Sequence, residues 1–266
     1  MSESVQELSS VAATAEACGK IHVGVGGWTF APWRGVFYPD KWPQAKELDH
    51  AGRHLTAIEI NGTFYGRQKP ASFVKWRDTV PDGFVFTVKA SRFCVNRKVL
   101  ADAGEGIANF VGQGISELGP KLGPILWQFA GTKRFEAEDM AAFLALLPAE
   151  QDGIRLRHAL EPRHASFADP AFFAMCREAG VAVVYAEADA YPKFLEQTAD
   201  FAYARIQFAD EALANGYSEA ELDRLADQAR AWAAGGRDVF LFFISGAKIR
   251  NPAAAQALIA RLGDVK

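Results

Sequence analysis

Residues 21–28 read IHVGVGGW. A short β-branched run leads into a glycine pair, which is how a dinucleotide-binding strand meets its phosphate turn. That turn needs G-x-G-x-x-G and open space for the pyrophosphate, and here Trp28 sets an indole in it. Periodicity alone does not separate a doubly wound sheet from a barrel, so the choice passes to the number of strands that follow. Comparable runs lie at 55–61 (LTAIEIN), 84–89 (FVFTVK), 124–129 (PILWQF), 157–161 (RHALE), 181–187 (VAVVYAE), 201–207 (FAYARIQ) and 238–244 (DVFLFFI). Helical patterns separate them, among them SFVKWRDTV after Lys69-Pro70, AAFLALLPAE near 141 and PAFFAMCREAG from 170. Asp169-Pro170 and Asn251-Pro252 each place a capping side chain before a first-turn proline, and Ser218 with Glu221 makes a capping box. Gly180 and Gly235-Gly236 sit where helices should stop. Eight strands alternating with helices in about 250 residues is the count of an α/β fold of the TIM-like (β/α)8 barrel type. No linker rich in Pro, Gly or Ser divides the chain. Residues 20–266 therefore read as a single barrel domain, behind a 1–19 tail that is flexible or briefly helical.

Composition narrows the class. Half of the 266 residues are hydrophobic and 23% are charged, as in a packed globular chain. No apolar run approaches the roughly 18 residues of a membrane span. The opening MSESVQELSSVAATAEACGK lacks a basic start and an apolar centre, so it is not read as a secretory signal. Cys18, Cys94 and Cys176 show no CxxC spacing, which argues against a disulfide framework or a zinc site and for a cytoplasmic location. The net charge of −3 does not advertise nucleic acid, so an anionic partner must be met by a local patch. No cofactor, resident metal or membrane partner is indicated, and the oligomeric state is not legible.

Barrel chemistry sits at the C-terminal strand ends. Those ends carry Gly26-Gly27-Trp28, Glu59-Ile60-Asn61, Lys89, Gln128, Glu161-Pro162-Arg163, Glu187, Arg205 with Gln207, and Ser245-Gly246. Period-two alternation puts Ala57, Glu59 and Asn61 on one face, and Tyr203, Arg205 and Gln207 on another. Polar residues recurring at strand ends describe either a functional mouth or ion pairs plugging the barrel top. Five neighbouring loops (244–251, 26–43, 61–69, 89–103 and 128–135) hold twelve Lys or Arg against Asp40 and Asp102 alone. The other three reverse the balance, with three basic and seven acidic residues. Half of the rim is thus a basic arc able to focus anions, densest at Lys89, Arg92, Arg97 and Lys98. The first loop, GGWTFAPWRGVFYPDKW, crowds its rings beside that arc. Most should be packing that folds a long loop down, with Trp28 and Tyr65 nearest the strand ends and offered to a ligand.

At GGWTFAPWRGVFYP, EINGTFYG, LGPILWQF and EPRH-S-F the chain resembles the YecE-like family, domain of unknown function 72, over about residues 21–262. The resemblance implies a TIM-like barrel and brings no established reaction. The polar positions it carries over are Trp28, Trp33, Glu59, Asn61, Thr63, Tyr65, Lys89, Gln128, Glu161, Arg163 and His164. The chain departs from the family pattern near its end: ARIQFADE stands where Arg-x-His-Gly is usual, and FFISGAKIRNP where F-N-N-D is usual. CVNRK replaces a common threonine-histidine pair after strand three.

These readings converge on an enzyme, a hydrolase or lyase in type, acting on a phosphorylated sugar, nucleotide or nucleic acid. Glu59, Glu161 and Lys89 are its catalytic candidates, the carboxylates as acid and base. Trp28, Asn61, Tyr65, Arg92, Gln128, Arg163, His164 and Arg205 are candidate ligand contacts, and Ser245-Gly246-Ala247 a phosphate cradle. One divalent ion among Glu59, Glu161 and Glu187 stays open, while His50 and His54 read as surface or capping groups. The competing class is a non-catalytic module that grips single-stranded nucleic acid or another polyanion through the basic arc and rings.

Overall fold

Branched and aromatic side chains favour extended backbone, and runs of them bounded by glycine or proline become the strands. The computed structural model describes residues 18–263, so positions 1–17 of the expected tail lie outside the described residues. Besides a small antiparallel hairpin, Glu150–Gln151 with Ile154–Arg155, the barrel strands are β1 (Ile21–Gly26), β2 (Ala57–Ile60), β3 (Val85–Lys89), β4 (Leu122–Gln128) and β5 (His158–Glu161). β6 comes in two pieces, Ala182–Val183 and Tyr185–Glu187, followed by β7 (Phe201–Ile206) and β8 (Asp238–Phe243). All pair in parallel, with β1 seated between β8 and β2. The first piece of β6 pairs with β5 and the second with β7, so this split strand closes the ring. The expected TIM-like barrel is what forms. Among the described residues no helix is long and apolar enough to cross a membrane.

The helices that position the mouth follow from local signals. They include α1 (Glu47–His54), α2 (Gly62–Tyr65), α3 (Pro70–Thr79), α4 (Arg92–Val95), α5 (Gly104–Val111) and α6 (Ala137–Ala145). Then come α7 (Pro170–Glu178), α8 (Glu219–Ala233) and α9 (Asn251–Leu262). The Asp169 carboxylate caps α7 by accepting from Ala171 N–H, and Ser218 with Glu221 forms the capping box of α8. α6 stops before Leu146-Leu147-Pro148, because the residue ahead of a proline is pushed out of helical geometry. Asn251 is not a cap: it is the first helical residue of α9, and Arg250 holds the cap position without a side-chain bond.

Alternation sends one set of side chains into the lumen and the other against the helices. Inside, Phe201, Tyr203, Phe240 and Phe242 of β7 and β8 pack against Ala57, Ala159, Ala182 and Ala186. Large rings on two strands thus meet small residues on the others, which fills a narrow barrel. At the N-terminal end His22 stacks on Phe240 with ring centres 5.2 Å apart, and the Arg157 guanidinium lies 4.7 Å from the Phe240 centre. Burial pulls the His22 pKa down to about 4, so this plug is neutral at its imidazole. The C-terminal end of the lumen is polar instead.

Candidate ligand cavity at the barrel mouth

Arg205 organises the polar end. It projects inward from β7 and is 2% exposed. Its Nε and Nη2 each lie 3.1 Å from a different oxygen of Glu59, and its Nη1 is 2.6 Å from Glu161 Oε2. Burial works against this charge, and Glu161 and Glu59 outweigh it and keep the guanidinium protonated. Tyr203 donates to Glu59 Oε2 at 2.8 Å, which leaves the Thr87 hydroxyl as donor to Tyr203 across 3.0 Å. Glu161 also accepts from Gln128 Nε2 and Arg163 Nε, both at 2.8 Å. Burial alone would raise its pKa, but Arg205 and Arg163 hold the carboxyl below the usual carboxylate range.

Above this layer opens a cavity of 590 Å³ lined by Trp28, Asn61, Tyr65, Lys89, Gln128, Arg163 and Arg205, with Trp76, Ser245, Lys248 and Asn251. Seven of the expected site residues are therefore brought together. Glu59 and Glu161 are not in its lining and are fully buried beneath it. Each accepts three hydrogen bonds within this layer, so neither carboxylate is offered to the cavity in this arrangement. Lys89 behaves differently. Its Nζ donates to Gln128 Oε1 at 2.8 Å and sits 4.5 Å from the centre of the Phe64 ring. Among the described residues no carboxylate pairs with it. Burial, then Arg205, lowers its pKa to about 8.

The aromatic loop divides as its chemistry suggests. Trp33 and Tyr38 are buried, and Phe30, Phe37 and Trp42 pack partly buried against the core. Trp33 Nε1 donates to Lys248 O at 2.8 Å, and Tyr38 OH donates to Trp28 O at 2.5 Å. The loop is thus clipped to the segment after β8, while Trp28 keeps an edge-on contact with Trp76 and faces the cavity. Ser245 and Gly246 take left-handed φ values of 67° and 61°. A Cβ on Gly246 would lie 2.7 Å from Ala209 N, so glycine is required there for the loop to pass. Ala247 N–H donates to Ala209 O, which removes one donor from the expected phosphate cradle.

Other expected residues stand apart from the cavity. Arg92 is exposed on α4 and rests over Phe93, and His164 Nδ1 caps a short turn by accepting from Ser166 N–H. Glu187 turns outward with Tyr185, accepting its hydroxyl at 2.5 Å and Arg224 Nη2 at 2.6 Å. It cannot share an ion with Glu59 and Glu161, and among the described residues no three His, Cys, Asp or Glu side chains gather as ligands. The basic arc is thinned too: Arg34 pairs with buried Glu47 and Lys133 with Asp139. Asn251 is a lining residue that the sequence reading took for a cap. Its Oδ1 is buried with no hydrogen-bond partner among the described residues. Its register just after the β8 loop is the signal that would have found it.

A family described as "Protein of unknown function DUF72" matches residues 22–266. UPF0759 protein YecE of Escherichia coli (strain K12) is 26% identical over 142 residues, which are 52% of this chain and 48% of that protein. The chain spans about half the length of the curated relatives it matches. A DUF72 family protein from Thermotoga maritima superposes with a TM-score of 0.71 at 23% identity, over 90% of this chain and 96% of its own. One from Enterococcus faecalis gives 0.72 at 18% identity, over 91% and 94%. SacUVDE gives 0.55 at 10% identity, over 90% and 98%, a likeness of fold alone. The match over residues 22–266, on a barrel with the mouth described above, makes this chain a member of the DUF72 family.

Proposed function

We propose that this protein is an enzyme acting on a small anionic, hydroxyl-bearing compound, in type a phosphorylated sugar or nucleotide, held in the barrel mouth. The carrying observation is the lining: Lys89, Arg163, Arg205 and Lys248 contribute four cations and no Asp or Glu lines the cavity. Glu59 and Glu161 beneath compensate Arg205 and Arg163, which leaves Lys89 and Lys248 as surplus positive charge. A low-dielectric wall around surplus cations focuses anions. Asn61 and Ser245 in the lining supply hydrogen-bonding groups for a ligand hydroxyl. Lys89 replaces the two carboxylates as the proton-exchanging group.

Inorganic phosphate and sugar phosphates should raise the melting temperature, by roughly 5–10 °C at a hundredfold excess over the dissociation constant. Lys89→Met should abolish most of that shift; an equal shift in the variant would remove Lys89 from the site. The pH dependence has a definite sign. Below about 8 the folded-state Lys89 is charged and binds the anion. As pH rises past 8 affinity should fall, approaching tenfold per unit for the part that depends on this charge. Stability without ligand runs the other way: between pH 8 and 10.5 the unfolded lysine binds the extra proton, so stability rises with pH. Titrations with sulfate, a dianion at both values, at pH 7.0 and 9.5 separate the two.

A second reading rests on the outer rim, where Tyr65 and Phe93 are 68% and 63% exposed beside Arg67 and Arg97. Rings alternating with guanidinium groups suit a single strand of nucleic acid. Oligonucleotide binding that weakens log-linearly with salt, with no response to small phosphates, would favour that reading.

A further inference from the structure

We infer that Lys89 condenses with a carbonyl group of the anionic ligand, forming an imine at the floor of the cavity. The inference rests on the proposed anion site and deepens it, because it specifies an aldehyde or ketone within the ligand. The argument starts from Gln128. Its Nε2 donates to Glu161 Oε2, which fixes the amide with Oε1 toward Lys89. Turning the amide over would set its N–H groups against the ammonium and its oxygen against the carboxylate. Lys89 therefore meets a neutral, fixed acceptor where most buried lysines meet a carboxylate. Its other neighbour is the Phe64 ring. When the amine is neutral, one N–H stays with Gln128 Oε1 and the lone pair is free to turn to the cavity. The backbone beneath is anchored, since Lys89 O accepts from the Thr63 hydroxyl at 2.7 Å.

The charged groups facing Lys89 are Glu59 from β2, Glu161 at the end of β5 with Arg163 just beyond it, and Arg205 from β7. Arg205 and Arg163 favour the neutral amine, and Lys248, the other surplus cation of the lining, is the group that would hold the charge of a condensed ligand. In the step itself the Nζ lone pair attacks the carbonyl carbon and the C–O π pair moves to oxygen. A proton passes from nitrogen to that oxygen. The hydroxyl then leaves as water with a second proton, the one the ammonium released to solvent before the attack, and the nitrogen lone pair forms C=N. Overall an ammonium and a carbonyl give an iminium and water, with the same charge on both sides. The iminium N–H keeps Gln128 Oε1 as its acceptor.

The test is reductive trapping on the full chain. Glyoxylate, pyruvate, dihydroxyacetone phosphate and ribose 5-phosphate are each incubated with cyanoborohydride, then intact mass and peptide mapping locate any adduct. One adduct per chain at Lys89 is expected, absent from Lys89→Arg, which keeps the positive charge but has no nucleophilic amine. The trapping rate should rise about tenfold from pH 7 to 9 and then flatten, whereas an ordinary surface lysine keeps rising beyond pH 10. Adducts spread over exposed lysines, equal in Lys89→Arg, would overturn the inference, as would no adduct from any of the four. Phosphate-induced stabilisation is measured on the same samples. Stabilisation without an adduct removes the imine and leaves the anion site; an adduct without stabilisation removes the anion site as proposed.

Discussion

Arg205→Met should destabilise the protein by roughly 3–5 kcal/mol, because it strips buried Glu59 of its counter-charge and leaves buried Glu161 with Arg163 alone. Glu59 and Glu161 are fully buried, and Arg205 makes three hydrogen bonds to them. For a chain of this size the loss corresponds to a melting temperature lower by roughly 6–20 °C. The pH response should change form as well. In the parent protein Glu161 is held below its ordinary pKa, so its stabilising contribution is present above the unfolded value and is lost as pH falls through the folded one. In the variant Glu161 keeps only Arg163 against its burial, so its pKa should rise toward the ordinary range and acidification should cost less stability than in the parent. Adding Glu59→Gln to Arg205→Met should restore part of the loss, since it removes the carboxylate that Arg205 alone neutralised. Thermal unfolding of the parent, single and double variants between pH 5 and 8 reads all of this. A single variant within 1 kcal/mol of the parent would mean that the three groups are not the buried network described.

Trp33→Ala carries the second large effect. The indole is fully buried among Phe30, Phe37 and Tyr38, and aromatic truncations at such sites cost about 3–5 kcal/mol. The functional consequence is separable from the stability loss through Trp33→Phe. That change keeps most of the ring and removes the bond from Nε1 to Lys248 O, a loss of about 1 kcal/mol. Lys248 lines the cavity, with its Nζ 4.5 Å from the centre of the Phe30 ring. Trp33→Phe should therefore weaken phosphate binding while leaving the melting temperature of the free protein within a few degrees. Unchanged phosphate affinity in Trp33→Phe would show that the clip does not hold the binding groups in place.

The barrel was legible because each strand carries its own local signal. Alternating chemistry in LTAIEIN and FAYARIQ placed Glu59 and Arg205 inside before any tertiary information was used. The same rule applied to VAVVYAE would have turned Glu187 outward with Tyr185, opposite Val184 and Ala186. Treating it only as a strand end concealed that. What no local pattern shows is which charges meet. The saturation of Glu59 and Glu161 arises from a guanidinium 146 and 44 positions away. Two carboxylates at strand ends look alike in sequence whether they face a substrate or an arginine. Lys89 became distinct only when its neighbour proved to be an amide. The break in β6 was equally hidden, since VAVVYAE reads as one unbroken run.

That break gives the ring a seam. β5 and the first piece of β6 share only two residue pairs in register, against six between β7 and β8. Arg205 on β7 reaches over β6 to Glu161 on β5, so the buried charge spans the seam like a stitch. Hoop tension in this barrel is shared there between a short backbone ladder and a buried ion pair. A lineage that traded Arg205 for another ligand-binding group would have to re-sew the wall at the same time.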